Sequence, residues 1–88
     1  MKIASNKLSE LLKNYQSELP NIYDKEEIYA IFEIVCEHFL NYSKTEVVTN
    51  LNNNMGQSDL ITIYNTCNEL KTGKPIQYIL KEAFFYDS

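Results

Sequence analysis

The stretch Asp24-Lys25-Glu26-Glu27-Ile28-Tyr29-Ala30-Ile31-Phe32-Glu33-Ile34-Val35-Cys36-Glu37-His38-Phe39-Leu40 decides the fold. Ile28, Ile31, Phe32, Val35 and Phe39 recur at i, i+3, i+4, i+7 and i+11. That spacing gathers side chains on one face of an α-helix, whereas a strand would split them between two faces. Ile34, Cys36 and Leu40 widen the stripe, as expected of a helix with neighbours on more than one side. Asp24 and Glu27 have capping-box spacing, with aspartate standing in for serine or threonine. Glu26 and Glu27 also lie at the positive end of the helix dipole. The reading is a central, most buried helix that begins at Asp24 and ends near Asn41.

Outward from this helix the same period continues. Toward the N-terminus, Leu8, Leu11, Leu12, Tyr15 and Leu19 form one apolar stripe. Ser5 is the candidate N-cap, and Pro20-Asn21 stops the helix because proline disfavours a helical residue before it. Toward the C-terminus, Ser43 and Glu46 give a second capping-box spacing, opening a short helix with Val47, Val48 and Leu51 facing inward. The turn chemistry of Asn52-Asn53-Asn54 and Gly56 breaks it. Ser58 is expected to cap a fourth helix whose stripe is Leu60, Ile63, Tyr64 and Cys67, with Leu70 about one turn on. Gly73 suits a left-handed helix terminus, and Pro75 suits the first turn of a short helix over 76–80. Beyond Lys81-Glu82 the chain reads Ala83-Phe84-Phe85-Tyr86-Asp87-Ser88, and three consecutive aromatics favour an extended segment.

The fold class is therefore all-α: a small bundle of four or five helices with a short extended aromatic C-terminal tail. Its expected core draws on Leu8, Leu11, Leu12, Tyr15, Ile28, Ile31, Phe32, Val35, Phe39, Val48, Leu51, Leu60, Ile63, Tyr64, Cys67 and Ile79. Length sets the same limit, since 88 residues make one small domain with one modest core. Hydrophobic residues at 44% and charged residues at 23% are those of an ordinary globular chain, and only two glycines and two prolines argue against a turn-rich β-sandwich.

Charge and composition narrow the function classes. A net charge of -4 lacks the basic face that nucleic acid needs, and all eight basic residues are lysines. Without arginine, bidentate recognition of guanine, phosphate or carboxylate loses its usual residue. No apolar run reaches membrane-spanning length, and Met1-Lys2-Ile3-Ala4-Ser5 leads into a polar amphipathic segment rather than a signal peptide. Cys36 and Cys67 sit in apolar stretches and read as buried free thiols, which fits a reducing, cytoplasmic setting. A single histidine and no Cys-x-x-Cys leave a structural zinc site without ligands. His38 lies near a helix C-terminus with no third group for a triad. Glu33 and Glu37 are a like-charged i, i+4 pair of the kind common on solvated faces, and paired catalytic carboxylates need a cleft. Gln57-Ser58-Asp59-Leu60 invites comparison with acyl carrier proteins, whose prosthetic-group serine opens a helix within Asp-Ser-Leu. Here serine and aspartate stand in the reverse order, and helix capping accounts for Ser58 without a prosthetic group.

The most specific segment is Lys71-Thr72-Gly73-Lys74-Pro75-Ile76-Gln77-Tyr78-Ile79-Leu80-Lys81-Glu82-Ala83-Phe84-Phe85-Tyr86. Pro75, Ile76, Gln77, Tyr78, Ile79, Leu80, Glu82, Phe85 and Tyr86 follow in order a pattern of Gly-Glu-Pro, an apolar residue, Gln or Ala, Tyr-Ile-Leu-Gly, then Glu and an aromatic pair. This resembles the segment that ends the N-terminal domain of the HemK/PrmC family, S-adenosylmethionine-dependent methyltransferases acting on a glutamine side-chain nitrogen of peptide chain release factors. Lys74 replaces the usual glutamate and Lys81 the usual glycine, while Glu69 stands near where an arginine is common. The resemblance implies a five-helix domain over 1–82 that helps dock the release factor, with 83–88 beginning a linker to the catalytic domain. That domain would hold S-adenosylmethionine and carry the Asn-Pro-Pro-Tyr signature. No position in this chain matches the signature, so no catalytic, cofactor or metal residue is carried over, and this segment alone is expected to be neither a methyltransferase nor cofactor-bound. Direct contact with nucleic acid or membrane is not expected. The alternative is a stand-alone helical module for protein interaction.

Overall fold

The computed structural model describes residues 7–86, with side chains described over 7–81. Five helices follow in order: α1 (Leu8–Glu18), α2 (Lys25–Leu40), α3 (Lys44–Thr49), α4 (Gln57–Lys71) and α5 (Ile76–Tyr86). The bundle is built on α1, α2 and α4, which pack pairwise, while α3 leans on α2 and α5 closes over α2 and α4. The Cα radius of gyration is 12.1 Å, as close packing at this length requires (about 12 Å).

The central helix forms as its periodicity predicts. Ile28, Ile31, Phe32, Val35 and Cys36 are buried, and the Glu27 carboxylate accepts from the Asp24 N–H at 3.2 Å. Asn41 ends the helix in the left-handed region at φ 60, and the Tyr42 N–H reaches back to the Cys36 carbonyl at 3.4 Å. Asparagine tolerates that conformation better than most residues. Leu8, Leu11, Tyr15 and Leu19 bury the stripe of α1 against it. Each such side chain contributes about 1.5–3 kcal/mol relative to exposure. Among the described residues, Tyr15 carries the one long-range side-chain bond inside this core: its hydroxyl donates to the Ile63 carbonyl of α4 at 2.7 Å. Its ring meets Phe32 edge-on, with centroids 5.1 Å apart.

Several expectations need correction. Val48 is 57% exposed and outside the core, whereas Val47 is fully buried. Neighbouring helical residues point about 100° apart, so a helix of only six residues cannot turn both inward. Leu12, Phe39, Leu51 and Tyr64 lie at the margin of the core rather than within it, and Leu19, Cys36, Val47 and Leu70 join it. Ser58 is not a cap: Gly56 holds that position and α4 begins at Gln57. The reason lies in the preceding link, which the N-terminus of α1 pins. The Ser9 N–H donates to the Leu51 carbonyl at 2.8 Å, and Lys7 pairs with Asn54 in an isolated antiparallel bridge. At the other end of the chain, α1 starts after Lys7, and Ser5 lies outside the described residues.

The largest departure concerns the tail. Residues 83–86 are not extended; they continue α5, which runs from Ile76 to Tyr86. The sequence 76, 79, 80, 83, 84 keeps an apolar residue at every helical repeat. A helix also satisfies its own backbone, which an extended segment without a neighbouring strand cannot do. Pro75 stands just before α5, where its carbonyl accepts the first helical bond from the Ile79 N–H at 3.1 Å. The side chains of Glu82, Phe84, Phe85 and Tyr86, and residues 87–88, fall outside the described set.

Candidate functional site

The motif-bearing segment occupies the corner between α4 and α5. Gly73 makes the turn at φ 96, with open space where a Cβ would stand. The glycine is thus required by backbone conformation, not by crowding. From Pro75 onward the pattern divides by exposure. Ile79 is buried at 2%, Ile76 packs at the core's edge, Leu80 is half-buried, and Pro75, Gln77 and Tyr78 face outward, Tyr78 with 51% of its surface free. Ile79 docks α5, while Gln77 and Tyr78 remain available for contacts. The Lys74 ammonium lies 3.3 Å from the Glu69 carboxylate and 5.9 Å from the centre of the Tyr78 ring. Two of the positions where charge departs from the motif, Glu69 and Lys74, therefore pair with each other. Below this corner, the Lys71 ammonium donates to Glu18 at 2.6 Å and ties the end of α4 to that of α1.

The residues weighed for chemistry stay apart. His38 is exposed, with Phe39 edge-on at 4.9 Å. Cys36 and Cys67 are buried and free. Burial, helped by the charge of Glu33, pushes the Cys36 thiol up to about 12, and burial with Glu18 nearby pushes Cys67 up to about 11. Neither is a thiolate nucleophile near neutrality. Among the described residues no group of three or more His, Cys, Asp and Glu could hold a metal ion. Nor is any described helix long and apolar enough to cross a membrane.

Two shallow concavities are formed by described residues. One, of about 390 Å³, lies where α1 turns into α2 and is lined by Gln16, Pro20, Tyr23, Asp24, Lys25 and Ile28. Periodicity carries no signal for it, because it depends on how the 19–24 link folds back. The other, of about 220 Å³, lies along the outer face of α2 beside the start of α3 and includes both Glu33 and Glu37. Their i, i+4 spacing was legible in the sequence, but the concavity they border was not.

Comparison with known proteins adds the family. Residues 10–80 match the family model described as the PrmC N-terminal domain, covering most of α1, all of α2 to α4 and the first half of α5. A release factor glutamine methyltransferase of Flavobacterium psychrophilum is 32% identical over 80 residues, spanning 86% of this chain and 28% of that relative. The chain is thus similar to little more than a quarter of the length of that protein. No solved structure matches it.

Proposed function

Because this chain belongs to the PrmC N-terminal domain family, we propose that it serves as the helical N-terminal domain of a release factor glutamine methyltransferase. In this reading it helps hold the release factor while a separate S-adenosylmethionine-binding domain transfers the methyl group to a glutamine side-chain nitrogen. The observation that carries the reading is the match over residues 10–80, which takes in Pro75 to Leu80 of the motif.

The physical logic is one of remote binding energy. Contacts made far from the reacting atom raise the rate when they orient the target group, and a separate domain supplies such contacts without altering the catalytic pocket. The exposed faces of this bundle can provide that area. In this reading the methyl donor is held by that separate domain. The only two glycines of the chain, Gly56 and Gly73, begin α4 and follow its end, so they form no glycine-rich cradle for a nucleoside cofactor. Pro75 to Leu80, with Glu82, Phe85 and Tyr86, would lead α5 toward the neighbouring catalytic domain, and the protein would work in the cytoplasm.

The test uses the enzyme that carries this domain. Removing residues 1–82 should lower kcat/KM for methylation of the intact release factor, while a short glutamine-containing peptide, too small to reach the remote surface, should lose much less. Equal losses for both substrates would show that the domain supports the fold of the enzyme rather than docking its substrate.

A further inference from the structure

We propose that the groove along the outer face of α2 seats a segment of the release factor that presents a lysine or arginine beside an aliphatic side chain. This inference rests on the docking role proposed above and names its surface. Ala30, Glu33, Ile34 and Glu37 fall at i, i+3, i+4 and i+7, on the side of α2 opposite its buried stripe, and Tyr42 and Lys44 close the groove from the start of α3. Its volume is about 220 Å³, room for one anchoring side chain and its flanks. Ile34 is 43% exposed and lines it, an apolar surface within the groove.

The charges specify the partner. The Glu33 and Glu37 side chains have no hydrogen bond or ion pair among the described residues. Like charges at i, i+4 repel, a small destabilisation that a cation between them would reverse. Two unpaired carboxylates flanking an exposed isoleucine make a receptor for a basic head carried next to an apolar stem, as when an aliphatic side chain packs on Ile34 and its basic neighbour bridges the carboxylates. Lys44 lines the same groove. It opposes a cationic partner and gives the test a signal of opposite sign.

The experiment titrates the 88-residue chain with the release factor by calorimetry at low and moderate salt, alongside E33Q/E37Q, I34S and K44E. All four positions are exposed or half-buried, and thermal melts confirm that each variant folds. The expected result is binding by the unaltered chain that weakens about tenfold in E33Q/E37Q, weakens in I34S, and tightens about threefold in K44E, with the charge effects fading as salt rises. Binding that is unchanged in E33Q/E37Q and K44E would overturn the groove and leave the docking role standing elsewhere on the bundle. No binding by the unaltered chain would overturn the docking role and the groove with it. A concentration-dependent dimer by sedimentation, dissolved by I34S, would assign the groove to a second copy and equally overturn the proposal.

Discussion

Replacing Tyr15 with phenylalanine isolates a polar contact that joins α1 to α4 through the core. The ring stays, so its edge-on contact with Phe32 at 5.1 Å is kept; only the hydroxyl that donates to the Ile63 carbonyl at 2.7 Å is lost. That carbonyl lies inside α4 and keeps its place in the helical ladder, so it is not stranded. The loss should therefore be that of an ordinary buried hydrogen bond, about 1 kcal/mol, rather than the larger penalty of an orphaned acceptor. For a chain of 88 residues the entropy of unfolding is about 185 cal/mol/K, so Tm should fall by about 5 °C. Far-UV circular dichroism during heating measures the shift. A urea titration should show a lower midpoint at unchanged slope, the signature of a change in stability alone. A Tm within about 1 °C of the unaltered chain, or above it, would refute the reasoning. It would mean that burying the hydroxyl costs as much as its bond returns, and that within the core α1 and α4 are held by apolar packing.

Further outcomes follow from the same core and from the caps. Burial raises the native pKa of Cys36, Cys67 and Tyr15 above their ordinary values, so the native state favours the neutral forms. The stability this contributes is complete below about pH 9 and is lost as pH rises through the native values, at up to about 1.4 kcal/mol per pH unit for each group; urea midpoints from pH 7 to 11 check this. At pH 8 a thiol reagent should modify the unfolded chain quickly and the native chain slowly, and rapid native labelling would contradict the burial. Ser43→Ala should cost about 1 kcal/mol, because Ser43 accepts from the Glu46 N–H at 3.2 Å and donates its own N–H to the Glu46 carboxylate at 2.9 Å. Ser58→Ala should stay within about 0.5 kcal/mol, since Ser58 is already inside α4; equal losses for the two variants would show that the capping assignment is mistaken.

The parts of this fold that were legible from sequence are those in which one residue pattern suffices. The i, i+3, i+4, i+7 stripe of α2 needs no knowledge of its neighbours, and the Ser43–Glu46 box is a closed local circuit. What escaped depends on contacts between distant segments. Gly56 rather than Ser58 begins α4 because residues 51 and 54 are fixed by Ser9 and Lys7, more than forty positions away. Val47 and Val48 have the same chemistry, and only the phase of a two-turn helix against α2 selects between them. The groove beside α2 was hidden for a similar reason: Glu33 and Glu37 were visible as a pair, but Tyr42 and Lys44 reach them only after Asn41 turns the chain back.

The motif at the α4–α5 corner shows how a family pattern separates into what the backbone demands and what the surface leaves free. Gly73 is held by its positive φ, and Ile79 by its burial. The charges at 69 and 74 are half-buried and interchangeable: an ion pair requires opposite signs, not a fixed order. Glu69 and Lys74 together restore an attraction that either change alone would have turned into repulsion. With each side chain about 40% exposed, that pair contributes no more than about 1 kcal/mol, so it serves the geometry of the corner more than its stability. Lys81 acts differently. Where the family pattern has glycine, a residue that weakens a helix by about 1 kcal/mol, this chain has a good helix former, and α5 accordingly runs through to Tyr86. That leaves Gln77 and Tyr78, which match the pattern although they face outward from a corner whose folding does not require them. Tyr78 already meets Lys74 within the corner, and the rest of this exposed face is the area that the proposed function would give to a neighbouring domain.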